Sequence, residues 1–80
     1  MPDSRDKPLR YRELISILRR FGVEEKIKKG SRRMLFHPNI NGKPAFIPIH
    51  PHSENHEFSR KVIRAVRERF SISIENFYSQ

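Results

Sequence analysis

The chain has 80 residues, with 17 Lys and Arg against 9 Asp and Glu for a formal net charge of +8, and it has no cysteine. That length holds one domain with a small core and leaves no room for a large substrate pocket, and the missing cysteine excludes disulfide staples and thiolate metal sites. A pI near 10.6 suits a polyanion such as nucleic acid, with plain solubility as the competing explanation.

Residues 1–8, MPDSRDKP, are polar, carry two prolines and show no period. They read as a disordered tail ahead of a single domain over 9–80. From Leu9 onward, Tyr11, Leu14, Ile15, Leu18 and Phe21 recur at helical spacing, opposite Arg12, Glu13, Ser16, Arg19 and Arg20. This predicts an amphipathic helix ended by Gly22.

Val23 to Lys29 alternates weakly, with Val23, Glu25 and Ile27 on one face, and predicts a strand. Gly30-Ser31 marks a turn, Arg33 to His37 a second strand, and Asn41-Gly42 another turn into a third strand over Ala45 to Ile49. Pro44 and Pro48 lack an N–H, so that third strand is expected to lie at a sheet edge or to start late in the ladder. The loop His50 to Asn55 offers Ser53 or Asn55 as a cap for a second helix, with Phe58, Val62, Ala65, Val66 and Phe70 inward and Arg60, Lys61, Arg64 and Arg67 outward. Ser71 to Gln80 reads as a short third helix packing Ile74, Phe77 and Tyr78, with a partner-pairing strand as the alternative. The order helix, three antiparallel strands, helix predicts a two-layer α+β sandwich with one sheet face open, the layout of a double-stranded-RNA-binding domain.

No apolar run approaches the roughly 18 residues of a membrane span, and no signal-peptide core opens the chain. A soluble, cytoplasmic protein without a membrane partner is expected.

Chemistry concentrates in two places. Lys26, Lys28, Lys29, Arg32 and Arg33 surround the Gly30-Ser31 turn, where guanidinium forks, backbone amides and the Ser31 hydroxyl suit a phosphate. The alternative is a solvated lysine-rich hairpin. Arg60 and Lys61 open a second basic stripe, for which an ordinary polar helix face with an Arg64–Glu68 pair is the competing reading.

Histidine is the side chain that takes and gives protons near neutral pH, so RNA cleavage through the 2′-hydroxyl would draw on one. His37 and His50, at the ends of the second and third strands, are the candidate base and acid, and would approach each other if the strands pair about Asn41-Gly42. Solvated strand-end histidines are the alternative. His50, His52 and His56 have a spacing too loose for a zinc signature, so neither metal nor cofactor is assigned.

Three segments together are distinctive: Leu18-Arg19-Arg20-Phe21-Gly22-Val23, Lys29-Gly30-Ser31 opening a strand, and Ile47-Pro48-Ile49-His50 before a basic helix. Across about Leu9 to Phe70 the chain resembles the HicA (YcfA-like) toxins of bacterial toxin-antitoxin pairs. The resemblance implies a double-stranded-RNA-binding-domain-like fold, metal-independent cleavage of messenger RNA, and neutralisation by a HicB-type antitoxin. The family usually writes Gly-Ser-His with that histidine catalytic, whereas here Arg32 follows the Gly-Ser pair. Arginine holds its proton too tightly to act as a base, so Lys28, Lys29, Ser31, Arg32 and Arg33 would hold phosphate while His50 or His37 moves the proton. A non-catalytic RNA-binding module and a docking domain for an acidic partner are the alternatives.

Overall fold

The computed structural model, which describes residues 6–30 and 32–79, opens on a short strand, β1 (Leu9–Arg10), that pairs antiparallel with β5 (Glu57–Phe58). Leu9 and Phe58 face each other in this ribbon and are both buried. The first helix, α1 (Tyr11–Arg19), follows directly and begins at the first residue of its apolar period. Its free N–H groups are met by the loop that follows the third strand of the main sheet: Tyr11 donates to the His56 carbonyl at 2.8 Å and Arg12 to that of Glu54 at 3.3 Å. At the other end Gly22, at φ +84°, completes a Schellman turn, with Val23 N–H donating to Leu18 and Gly22 N–H to Arg19.

The main sheet has the order β2 (Glu24–Ile27), β3 (Arg33–Ile40), β4 (Lys43–Ile49), all antiparallel, so β4 lies at an edge as its prolines require. Ile40 pairs with Lys43 across Asn41 and Gly42, whose φ values of 55° and 89° are those of a tight two-residue hairpin turn. A bulge between His37 and Ile40 then shifts the ladder to His37↔Ala45, Leu35↔Ile47 and Arg33↔Ile49. The bulge puts Leu35, Ala45 and Ile49 on one face, where they join Leu14, Leu18, Ile63, Val66, Phe70 and Phe77 in the core. The opposite face is open, and Phe46 there is 52% exposed.

The second helix, α2 (Arg60–Arg69), starts after β5 and is capped by Ser59, whose hydroxyl accepts from Val62 N–H, rather than by Ser53 or Asn55. Phe58 belongs to the ribbon because it lies ahead of that cap. Counted from Ser59, the buried face holds Ile63, Val66 and Arg67, while Ala65 is exposed. Arg67, assigned outward by its charge, is thus an inward residue. A short third helix, α3 (Ile74–Tyr78), follows and seats the fully buried Phe77.

Arg67 is inside because Asp6 is there too. Its Nε and Nη2 each donate at 2.9 Å to the two Asp6 carboxylate oxygens, and Nη1 donates at 2.8 Å to the Ile72 carbonyl. The Tyr78 hydroxyl adds a bond to Asp6 at 3.1 Å. Asp6 falls in the stretch that composition reads as tail; its side chain is 3% exposed and clamps α2 to α3. Residues 1–5 lie outside the described residues.

The Arg67 hydrogen bonds, opposed by burial and aided by Tyr78, hold the Asp6 carboxyl below its ordinary value of 3.8. A depressed folded-state value contributes stability that is present above the unfolded carboxyl's value and is lost as pH falls through the folded one. Asp6→Ala, which leaves a buried guanidinium unpaired, is expected to cost about 3 kcal/mol at neutral pH and to remove this acid-limb dependence, as read by denaturant unfolding across pH. A loss below about 1 kcal/mol would show that Arg67 is satisfied without it.

Candidate phosphate site at the hairpin end of the sheet

The β2–β3 register ends at Ile27↔Arg33, and Lys28 N–H donates to the Arg32 carbonyl at 3.0 Å to close the loop. Strand alternation from Leu35 puts Arg33 on the covered face and Met34 on the open one. Arg33 accordingly serves the loop from within: its Nη1 donates to the carbonyls of Gly30 at 3.3 Å and Arg32 at 3.1 Å, and its Nε lies 3.9 Å from the Glu25 carboxylate. Lys26 is on the open face, its Nζ 4.7 Å from the Phe36 ring centroid. Lys28, Lys29 and Arg32 are exposed. Of the cations around the turn, one is a brace, one covers an aromatic ring, and these three face solvent at the loop. Ser31 lies outside the described residues.

His50 stands one residue beyond Ile49 and Arg32 one residue before Arg33, so the last ladder pair brings this exposed histidine to the same end of the sheet as the basic loop. His37 does not join them. It opposes Ala45, and the five residues from Ala45 to His50 span about 16 Å of strand, so the two histidines mark opposite ends. His37 is built into the bulge instead: its Nδ1 accepts from Asn39 N–H at 3.0 Å, and Asn39 Oδ1 accepts from Gly42 N–H at 2.8 Å. A Cβ on Gly22 would stand 3.0 Å from His37 Nε2, so the ring also packs against the turn after α1.

Arg60 and Lys61, in the first turn of α2, flank a separate shallow hollow with Pro8 and Glu57. Arg64 pairs with Glu68 at 3.0 Å across one helical turn. His52, His56 and Phe58 stack edge to face at centroid separations of 5.1 and 4.6 Å. Among the described residues no three His, Asp or Glu side chains are placed to hold a metal ion, and no helix is long and apolar enough to cross a membrane.

Glu25 was not recognisable as a site residue from the sequence, although a lone carboxylate on the apolar face of a strand beside a basic turn is a signal for an internal ion pair. Residues 11–71 match the family model described as the HicA toxin of bacterial toxin-antitoxin. No curated protein and no solved structure matches the chain.

The division of labour in the loop has a measurable consequence. Arg33→Ala, which frees two loop carbonyls and leaves Glu25 without its cation, is expected to lower stability by about 1–2 kcal/mol, and Arg32→Ala to change it by less than about 0.5 kcal/mol. Equal effects in thermal and denaturant unfolding would remove the brace from the description.

Proposed function

The chain belongs to the HicA toxin family, and we propose that this toxin of a toxin-antitoxin system binds messenger RNA and cleaves it without a metal ion. The observation that carries the reading is the meeting of Lys28, Lys29 and Arg32 with His50 at one end of the sheet. The three exposed cations supply the charge that holds an RNA backbone, and Ser31, next to Gly30 in the sequence, adds a hydroxyl. Arg32 offers a fork to two non-bridging phosphate oxygens, and this interaction strengthens as negative charge develops during displacement at phosphorus.

In this mechanism His50 withdraws the proton of the 2′-hydroxyl, and the 2′-oxygen bonds to the adjacent phosphorus. The bond from phosphorus to the 5′-oxygen breaks, and the leaving oxygen takes the proton back from the His50 imidazolium. The products are a 2′,3′-cyclic phosphate and a free 5′-hydroxyl. His37 takes no part, being engaged in the bulge at the far end of the sheet. Arg60 and Lys61 extend the cationic surface and contribute affinity alone. Family membership implies an antitoxin partner; a HicB-type antitoxin that covers the basic hairpin fits the resemblance and the charge.

A second reading is favoured by one feature. Arg32 occupies the position where the family resemblance expects its catalytic histidine, which suits a chain that binds RNA without cutting it. Incubating antitoxin-free protein with end-labelled RNA decides between them.

Cleavage is expected to be insensitive to chelator, to fall at least about 100-fold in His50→Ala, and to stay within about twofold in His37→Ala once the folded fraction is matched. RNA left intact by the wild-type protein would sink the nuclease reading and leave the binding module. Arg32→Ala is expected to weaken RNA binding and to reduce the slope of log affinity against log salt by about 0.7, the value for one phosphate contact on a single strand. An unchanged slope would remove the phosphate site.

A further inference from the structure

Side chains alternate along each strand of the main sheet, so Lys26 on β2, Met34 and Phe36 on β3 and Phe46 on β4 point away from the core that Leu35, Ala45 and Ile49 join. Phe36 and Phe46 are direct ladder partners, which puts two phenyl groups next to each other near the middle of the open face. Phe46 is one of only two large apolar side chains among the described residues that are fully exposed to solvent. A cation attends each ring. Lys26 Nζ lies 4.7 Å from the Phe36 centroid, and the Arg69 guanidinium, which donates to the Phe46 carbonyl at 3.0 Å, lies 5.9 Å from the Phe46 centroid.

The same alternation carries the basic hairpin onto this face. The two ladder registers, continued by one residue, set Lys28 opposite Arg32 and Arg32 opposite His50, and the bond from Lys28 N–H to the Arg32 carbonyl extends the first of them. All three residues are exposed and share the strand parity of Met34 and Phe36. From Arg32 to Phe36 is about 13 Å of strand, with Lys26 and Met34 between the basic row and the aromatic one. Against the cations Lys26, Lys28, Arg32 and Arg69, the described part of the face has a single acid, Glu24, opposite Phe36.

Ring and charge together choose the occupant. A protein segment laid over the two rings would bury Lys26 and Arg69 as well and would need a carboxylate for each. A single strand of RNA brings a phosphate with every base, so the rings take bases while the cations take the backbone. A duplex does not fit, because its bases are already stacked on one another. We propose that Phe36 and Phe46 form a stacking platform for unpaired bases of the RNA whose backbone is held at Lys28 and Arg32. The inference rests on the RNA reading above and gives it a strand type and a path, along β3 from the hairpin toward the Asn41-Gly42 turn.

The chain has no tryptophan, so Phe46→Trp places a single indole on the platform. A short 2′-O-methyl oligouridylate, which cannot be cleaved through its 2′-oxygen, is expected to quench that indole's emission saturably in the full-length protein. An abasic 2′-O-methyl oligomer of the same length and a duplex are expected to leave the emission unchanged. Phe46→Leu and Phe36→Leu, which keep apolar area and lose the ring, are each expected to weaken oligouridylate binding about fivefold or more without changing its salt slope. The abasic oligomer is expected to bind wild type and both leucine variants alike.

Wild-type affinity in Phe46→Leu, or equal affinity of wild type for the abasic and uridylate oligomers, would overturn the platform and leave the backbone contacts at the hairpin standing. If no oligomer binds the wild-type protein, the RNA reading itself falls and takes the platform with it. Quenching by polyglutamate as strong as by oligouridylate would give the face to an acidic protein, and a dimer that Phe46→Leu converts to a monomer in sedimentation would give it to a second copy of the chain.

Discussion

The helical layer is tied together by one guanidinium. Arg67 binds Asp6 through two parallel hydrogen bonds and the Ile72 carbonyl through a third, while Tyr78 donates to the same carboxylate. The stretch before β1 thus meets α2, the turn after it, and α3 at a charge-neutral knot. Beneath it lie Val66, Phe70, Ile72 and Phe77, all buried. Removing two charges from water costs several kcal/mol per ion, so the knot's value lies less in net stability than in the penalty for any arrangement that leaves Arg67 without Asp6. It gives α3, a helix too short to hold itself together, a fixed place over the core.

The register of the main sheet depends on a second local device. A two-residue turn at Asn41-Gly42, continued without interruption, would set Leu35 against Pro48 and mismatch the two apolar faces. The bulge removes the mismatch, and its loose backbone groups are met by the His37 ring and the Asn39 amide. Pro38 sits inside the bulge, where its missing N–H breaks no ladder bond. His37 is therefore explained by backbone geometry, and its distance from the hairpin follows from the same register.

How much of this was legible in the sequence divides along a physical line. Features set by neighbours along the chain could be read: the α1 stripe and its Gly22 stop, the Asn-Gly turn, the edge position of the proline-bearing strand, the short last helix. Features set by partners far away could not. Asp6 looks like any residue of a polar tail until Arg67 is placed beside it, and Phe58 looks helical because the β1–β5 ribbon is too short to show alternation. The separation of His37 from His50 was legible, however, because a turn centred between residues 41 and 42 already pairs His50 with the start of β3. The candidate site was half visible: the cation cluster stands out in composition, whereas the inward turn of Arg33 needs the strand's face to be known.

Charge alone therefore overstates the binding surface. Arg33 and Arg67 are compensated inside the fold, Arg64 is paired on the surface, and Arg69 donates to the Phe46 carbonyl at 3.0 Å and covers the exposed edge of β4. Among the described residues Lys28, Lys29 and Arg32 have no such role, and they stand exposed on one loop whose shape Arg33 fixes. Any macromolecule that covers this loop must bring its own negative groups, because burying three uncompensated cations costs more than apolar contact over so small a patch returns. The rigid brace also limits what can satisfy them, since a loop held at two carbonyls cannot reshape itself around a partner, and complementary charge must arrive already spaced to match.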